Sequence, residues 1–380
     1  MFVRLLLLIV CFLPKLLAAQ LPDIFVSSKN THSVKRYNGN TGQYIGDFVT
    51  PNSGSLNSPQ DVLFHPNGNL LVTGRFNNAV KMYNGQTGAY IGNFTKNYPL
   101  DNGTKMTWGP DGYLYISQWG ITKSKVVRYD TLGNFVDEFT KANLNQAGGH
   151  AWDSEGNLYV AVHAEGIDGN ILRFDTTGVL TEIYIPNGVV EGPIKVWFRG
   201  PDMYVQDLEL GEIIIFDASN KTLLSKPATG LTGSEGYMYD PAGLLYLCEP
   251  GANHVKRYNI PNNTSEVFIN TGGLSYPNSI TFGPGLMTST QPDLSPSELM
   301  LQVTQDRGET SFWVTSAIYA DIRLTIFDVS GKEIESPFTG NIFPGEHKII
   351  WQNSSYPAGV YYYKLSTGKY SLAGKILLRS

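Results

Sequence analysis

The chain has 380 residues, with 33 acidic and 28 basic side chains and a formal net charge of −5. This balance lacks the basic surplus that a nucleic-acid-binding surface requires. Charged residues make up only 16% of the chain, whereas 40 residues are glycine and 21 are proline. Such a composition predicts many short strands joined by turns, and therefore an all-β protein.

Residues 1–19 predict a cleaved secretory signal. Arg4 supplies the positive start, an apolar run fills residues 5–13, and small residues precede Gln20. The run is about half of the ~20 residues that a membrane-spanning helix needs, which disfavours a transmembrane anchor. Removing this segment also removes Cys11 and leaves only Cys248, so no internal disulfide is expected.

Residues 20–286 contain a repeated phrase of alternating apolar and polar residues. The phrase ends in an aromatic residue followed by Asn or Asp, and it returns at intervals of roughly 40 to 45 residues. Its six copies lie at 34–38, 80–84, 127–130, 172–175, 214–217 and 255–259. The alternation predicts a half-buried strand, and pairs such as Asn38-Gly39 predict a tight hairpin after it.

Other strands surround each copy of this phrase. Two apolar segments joined by a Pro/Gly turn precede it, as in 62–72 and 107–116, and a further strand follows it, as in 44–48. Each repeat therefore holds four strands, which is the content of one β-propeller blade.

The two ends of the repeat array complement each other. The first repeat starts at residues 23–26 without a first strand, and the array ends with an unpaired first strand at 279–285. We expect residues 280–282 to pair beside 24–26, which closes a six-bladed β-propeller and removes its exposed strand edges. A β-sandwich with many hairpins would not explain the regular period.

The repeats resemble NHL repeats, and more broadly the six-bladed propellers of the SMP-30/gluconolactonase and virginiamycin-B-lyase class. The resemblance covers residues 21–285 and implies the fold more strongly than the chemistry.

After a Ser/Thr/Pro-rich linker at 287–297, residues 298–380 change in pattern. Strands are predicted at 312–314, 322–328, 347–351 and 360–365, and their spacing predicts a small Ig-like β-sandwich. The segment resembles the type A sorting domain of the Bacteroidetes type IX secretion system. The matching pieces are 326–333, 345–347, 357–361 and 374–378, whereas the usual Asn-Pro-Phe-like start appears as Thr310-Ser311-Phe312. The alternatives are an Ig-like spacer and a sugar-binding module.

Aligning the repeats predicts one face of the propeller. On this face the first strand of each repeat, which we call the inner strand, begins, and the second strand ends. The inner-strand starts carry Gln60, Asp61, Lys105, His150, Lys195, Glu235 and Asn278. The second-strand ends carry Lys29, Arg75, Trp119, His163, Asp207 and Glu249. A mixed ring of charges with an aromatic residue suits a polar ligand. The predicted binding face comprises Arg75, Lys105, Trp119, His163, Asp207 and Glu249.

The family resemblance also implies two kinds of catalytic chemistry. SMP-30-like enzymes hold a divalent metal through carboxylate and Asn oxygens, which suit Ca²⁺ or Mg²⁺. The metal ligands that the resemblance implies in this chain are Glu191, Asp207 and Asn278, with Glu235 as an alternative. The same residues also fit ordinary turns. A lyase of the virginiamycin class would use His150 or His163 as a base.

The leading hypothesis is a non-catalytic, secreted or surface-attached propeller that binds a glycan, peptide or small molecule. Its sorting domain would engage the type IX secretion machinery. No nucleic-acid partner and no membrane span after signal cleavage are expected, and Ca²⁺ or Mg²⁺ is the candidate cofactor. A Ca²⁺- or Mg²⁺-dependent lactonase-like hydrolase is the alternative, and a lyase is the third.

Overall fold

The computed structural model describes residues 21–283, except 121, 154, 165–168 and 241, and residues 299–378, except 307, 317–319, 343–344 and 368–370. The predicted signal segment 1–19 and the predicted linker 287–297 lie outside these residues. The described elements are β-strands and three 3₁₀ turns, at Lys29–Thr31, Ser53–Ser55 and Pro250–Ala252. Within the described ranges, no helix has the length and apolar character needed to cross a lipid bilayer.

Six four-stranded antiparallel sheets, numbered here in chain order, occupy residues 24–282. Sheet 1 comprises β24 Pro277–Phe282, β1 Ile24–Ser28, β2 Ser33–Tyr37 and β3 Tyr44–Val49. Sheet 2 comprises β4 Pro59–Phe64, β5 Leu70–Gly74, β6 Lys81–Tyr83 and β7 Tyr90–Asn93. Sheet 3 comprises β8 Gly103–Trp108, β9 Leu114–Gln118, β10 Val126–Tyr129 and β11 Phe135–Glu138.

The remaining three sheets follow the same order. Sheet 4 comprises β12 Ala147–Trp152, β13 Leu158–Val162, β14 Asn170–Phe174 and β15 Leu180–Ile185. Sheet 5 comprises β16 Pro193–Arg199, β17 Asp202–Asp207, β18 Glu212–Asp217 and β19 Leu223–Ala228. Sheet 6 comprises β20 Tyr237–Tyr239, β21 Leu245–Glu249, β22 His254–Asn259 and β23 Thr264–Ile269.

Sheet 1 is completed by a strand from the far end of the repeat array. β24 pairs antiparallel with β1, with Ile24 opposite Phe282 and Val26 opposite Ile280. This is the pairing that the two complementary array ends predict. It supplies sheet 1 with the first strand that its own repeat lacks.

Neighbouring sheets meet at a recurring glycine contact. In four sheets, the turn between the third and fourth strands holds a glycine with positive φ, against the carbonyl oxygen of a Phe from the preceding sheet. The pairs are Gly42 on Phe268, Gly88 on Phe48, Gly133 on Phe94 and Gly178 on Phe139. A Cβ on any of these glycines would overlap that oxygen. The first pair joins sheet 1 to sheet 6.

The aromatic residue of the repeated phrase fills the space between sheets. Its six copies, Tyr37, Tyr83, Tyr129, Phe174, Phe216 and Tyr258, are all buried. The Tyr83 hydroxyl donates to the Ser53 carbonyl at 2.8 Å, and the Tyr129 hydroxyl donates to the Tyr98 carbonyl at 2.9 Å. These tyrosines therefore combine apolar burial with a hydrogen bond to the connection that precedes their own sheet.

The C-terminal region contains seven described strands in two sheets. One sheet has the order β25 Leu299–Asp306, β26 Glu309–Ser316 and β29 Gly345–Gln352. The other has the order β28 Glu333–Ile342, β27 Ala320–Phe327, β30 Gly359–Thr367 and β31 Ser371–Leu378. One hydrophobic core draws Phe312 and Trp351 from the first sheet and Leu324 and Leu365 from the second.

Candidate binding site

Irregular pairing marks the start of most inner strands. In β4, Pro59 lies opposite Gly74 and Asp61 opposite Thr73, so Gln60 is an extra residue between them. Equivalent register shifts occur in β8, β12 and β16, and between β1 and β24. A β-bulge changes the direction of the side chains beside it. The bulges therefore set the direction of the polar residues at these positions.

These residues, with one from the segment before β20, form what we name the inner cluster. The inner cluster consists of Gln60, Asp61, Lys105, His150, Lys195, Glu235 and Asn278. The Lys105 ammonium donates to the carbonyl oxygens of Gln60, at 3.2 Å, and Asn278, at 3.0 Å, and lies 3.5 Å from the Glu235 carboxylate. One buried lysine of sheet 3 thus connects residues from sheets 1 and 2 and from the segment before sheet 6.

Asp61 is also committed to contacts between sheets. Its carboxylate accepts the backbone N–H of Met106 at 2.7 Å and the hydroxyl of Ser279. The neighbouring Gln60 accepts a 2.9 Å hydrogen bond from Asn278 Nδ2. These bonds hold the inner strands of sheets 1, 2 and 3 in a fixed arrangement.

His150 lies inside the cluster as a neutral imidazole. Its Nδ1 is 2.7 Å from the Ser117 hydroxyl. Burial, with a further contribution from the Lys195 charge, lowers the pKa of His150 to about 3. An imidazole with this pKa is a weak base at neutral pH, which weighs against the proposed general-base role of His150.

A second group, the mouth cluster, lies in the turns after the second strands and just before β24. The mouth cluster consists of Lys29, Arg75, Phe76, Trp119, His163, Glu209 and Tyr276. The Lys29 ammonium lies 4.3 Å from the centre of the Tyr276 ring. Burial lowers the pKa of Lys29, against the effect of Glu235 and together with those of Arg75 and Lys105. Lys29 therefore lies near enough to Glu235 and Lys105 of the inner cluster for their charges to affect its pKa.

The mouth cluster combines aromatic surface with charge. Phe76 is 66% exposed and lies 5.8 Å from the Arg75 guanidinium. The Trp119 and His163 rings are 5.0 Å apart, and His163 Nε2 lies 3.2 Å from Glu209 Oε1. Sequence reasoning missed Phe76, Glu209 and Tyr276, although the first two lie one and two residues beyond predicted site positions.

Asp207 and Glu249, two predicted face residues, are occupied by internal hydrogen bonds. The buried Asp207 carboxylate accepts four backbone N–H groups at 2.8–3.1 Å, from Glu191, Gly192, Glu209 and Leu210. Glu249 accepts the N–H of Thr232 and contacts His254 and Lys256. Burial raises the pKa of Glu249, but these partners outweigh that effect, so the pKa is lowered. Both carboxylates stabilise turns beside the mouth cluster.

The tentative metal ligands lie in different surroundings. Glu191 is exposed and meets Asp207 through its backbone, Asn278 bonds to Gln60, and Glu235 faces the Lys105 ammonium. In the part of the chain that the structure describes, no three His, Cys, Asp or Glu side chains form a group suited to a metal ion. The Ca²⁺ or Mg²⁺ site stays a prediction.

Comparison with known proteins defines the fold class. No protein-family model matches the chain, and no curated protein is significantly similar to it. A chain of the nidogen/laminin complex has a TM-score of 0.58 at 11% identity, covering 69% of this chain and 98% of that one. A Bacteroides caccae protein of unknown function has a TM-score of 0.53 at 14% identity, covering 68% of this chain and 98% of its own. Both are β-propeller proteins, so the 68–69% of this chain that they cover has the fold of a β-propeller.

Proposed function

We propose that this chain is an exported, non-catalytic binding module. Its six sheets form a closed six-bladed propeller, and the mouth cluster binds an acidic peptide segment of an extracellular partner. A C-terminal Ig-like sandwich directs export. The observation that carries this proposal is that the exposed Phe76 ring and the half-buried Arg75 and Lys29 cations lie together at one end of the sheets.

Contacts between consecutive inner strands support a closed ring. β4 lies against β24 and β8, β12 lies against β8 and β16, and β20 lies against β24. Between β16 and β20, the Trp197 and Tyr237 rings stack with centroids 3.9 Å apart. A closed ring leaves each sheet with an inner strand that is covered by its neighbours.

The chemistry of the mouth cluster favours an acidic partner with an apolar residue. Arg75 and Lys29 offer two cations on adjacent sheets, and Phe76 exposes a large ring beside the guanidinium. Arg and aromatic residues carry much of the binding energy in protein interfaces. A carboxylate of the partner would pair with the cations while an apolar side chain covers Phe76.

A peptide-display selection against the purified protein would provide ligands for testing this proposal. We expect the selected peptides to be rich in Asp and Glu, and Arg75→Ala and Phe76→Ala each to weaken their binding at least about tenfold. Fluorescence anisotropy would measure the affinities. Leu132→Ala is the matched control for Phe76→Ala.

Leu132 suits this control because it is 69% exposed, like Phe76, but lies in the turn between β10 and β11. This turn is at the end of the sheet opposite to the mouth cluster. Its replacement should leave the affinity unchanged. Equal affinity of the wild type, Arg75→Ala and Phe76→Ala for every selected peptide would refute the proposed binding face.

The export proposal has a separate test. In a bacterium with a type IX system, removing residues 299–380 should retain the propeller in the periplasm, because the sorting signal is lost. Cell fractionation and surface protease treatment would locate the protein. A control chain with an unrelated β-domain in place of 299–380 should also be retained. Surface exposure of the truncated chain would contradict the sorting role.

A further inference from the structure

The charges of the mouth cluster are divided between different sheets. Its two cations, Lys29 and Arg75, lie directly after β1 of sheet 1 and β5 of sheet 2. Its acidic member, Glu209, lies after β17 of sheet 5, and its side chain is 57% exposed. The buried carboxylates of Asp207 and Glu249 at the same end bind internal donors. Glu209 is therefore the carboxylate of the mouth cluster that a partner can reach.

Backbone contacts hold the two cations beside each other. The His32 N–H donates to the Lys29 carbonyl at 3.3 Å, and the His32 Nδ1 accepts the Ser58 N–H at 3.0 Å. The Ser58 carbonyl in turn accepts the Arg75 N–H at 2.8 Å. Among the described residues, both cations contact aromatic rings and neither forms an ion pair. Their charges are therefore available to an anionic partner.

Tyr276 lies between the cationic and the acidic parts of the mouth cluster. The Lys29 ammonium is 4.3 Å from the centre of its ring. Burial raises the pKa of Tyr276, Glu235 raises it further, Arg75 lowers it and Glu209 raises it. Arg75 and Glu209 therefore both lie near enough to one tyrosine to act on it, although they belong to sheets 2 and 5.

The position of Glu209 is fixed by its neighbours. Its backbone N–H donates to the Asp207 carboxylate at 3.1 Å. Its stem lies over Gly192, where a Cβ would be 2.4 Å from the Glu209 Cγ. Its Oε1 is 3.2 Å from Nε2 of His163, whose ring lies 5.0 Å from that of Trp119. Glu209 is thus an acid that is both held in place and exposed to solvent.

We propose that the mouth cluster orients its partner by charge and binds a dipolar peptide segment. The acidic residue of the segment pairs with Lys29 and Arg75, and a basic residue of the same segment pairs with Glu209. A uniformly acidic segment would instead place a like charge against Glu209, which lowers affinity. This inference rests on the proposed function and adds a second, oppositely charged requirement to the partner.

Synthetic peptides with blocked ends test this requirement. Each peptide begins with Asp-Asp-Leu, continues with a Gly/Ser spacer and ends in Arg, and a counterpart ends in Gln. The spacer varies over about two to six residues, because an extended chain spans ~3.3 Å per residue. At the best spacer length, we expect the Arg peptide to bind the wild type about fivefold more tightly than the Gln peptide, as one exposed ion pair allows. Isothermal titration calorimetry at low salt would measure both affinities, since salt screens such a pair.

Three protein variants assign the preference to one carboxylate. Glu209→Gln should bind the two peptides equally, and Glu209→Arg should instead prefer a peptide that ends in Glu. Both variants should fold, because the side chain is largely exposed and the backbone N–H still donates to Asp207. Glu266→Gln is the matched control, since Glu266 is 59% exposed and pairs with Arg257 but lies on β23, the outer strand of sheet 6. This control should keep the wild-type preference.

The outcomes separate this inference from the proposed function. Equal affinity of the wild type for the Arg and Gln peptides at every spacer length would overturn the inference, as would a preference that survives in Glu209→Gln. If Arg75→Ala still weakens binding of these peptides, the acidic-peptide site itself stands. If none of the peptides binds, the proposed function and this inference fail together.

Discussion

Gly178→Ala is expected to lower the free energy of unfolding by at least about 2 kcal/mol. Gly178 has a φ of +82° in the turn between β14 and β15, where a side chain is strained. Its missing Cβ also lets the turn lie against the carbonyl oxygen of Phe139 in the preceding sheet. Alanine would therefore add backbone strain and separate two sheets. The midpoint of urea unfolding, followed by tryptophan fluorescence, measures the change.

Gly68→Ala separates these two causes. Gly68 has a similar φ of +86° in the turn between β4 and β5, but a Cβ there would meet no atom within 4 Å. This variant should lose only about 1 kcal/mol, from backbone strain alone. If the two variants lose the same stability, the glycine contact does not hold the sheets together.

Asp207→Ala should cost about 3 kcal/mol or more, because four backbone N–H groups would lose a charged acceptor. These groups belong to the segment before β16 and the turn after β17, so the carboxylate ties two loops together. The loosened turn carries Glu209, which faces His163. Peptide binding at the mouth cluster should therefore weaken together with stability, and calorimetry with the anisotropy assay would record both.

Two comparison variants define the cause of this loss. Asp207→Asn should have an intermediate effect, because its amide oxygen can still accept from Gly192, Glu209 and Leu210 while its NH₂ group opposes the Glu191 N–H. Asp175→Ala should cost less, because Asp175 is only half-buried and the backbone N–H groups it accepts belong to the exposed residues Thr177 and Val179, where water can replace it. Similar losses for Asp207→Ala and Asp175→Ala would contradict the loop-tying role.

The sequence predicted the repeating sheets because each repeat obeys the same burial constraint. The aromatic residue of the phrase lies in the core at all six positions, from Tyr37 to Tyr258, so its spacing follows that of the sheets. The pairing of 24–26 with 280–282 was predictable because each array end lacks what the other supplies. In the C-terminal region, β25, β28 and β31 were not predicted. Polar residues interrupt the alternation in β25, and Pro337 lies within β28.

The candidate site was less predictable, because residue type does not determine which partner a side chain finds. Asp207 suggested a metal ligand, yet its carboxylate receives four backbone N–H groups from segments that only the folded chain brings together. Glu209 could not be identified as a site residue from the sequence, because nothing distinguishes it from other charged residues in exposed loops. The bulges that direct Lys105 and Lys195 depend on one extra residue within a strand, which alternation of apolar and polar residues does not reveal.

The strand exchange between the two ends of the repeat array has a consequence for biogenesis. A nascent chain that has emerged only as far as β23 holds sheet 1 with β1 as an open, unpaired edge. Such an edge can pair with other chains, and the missing partner has a large sequence separation from β1. Completion of sheet 1 therefore awaits Phe282, which ends the strand that covers β1.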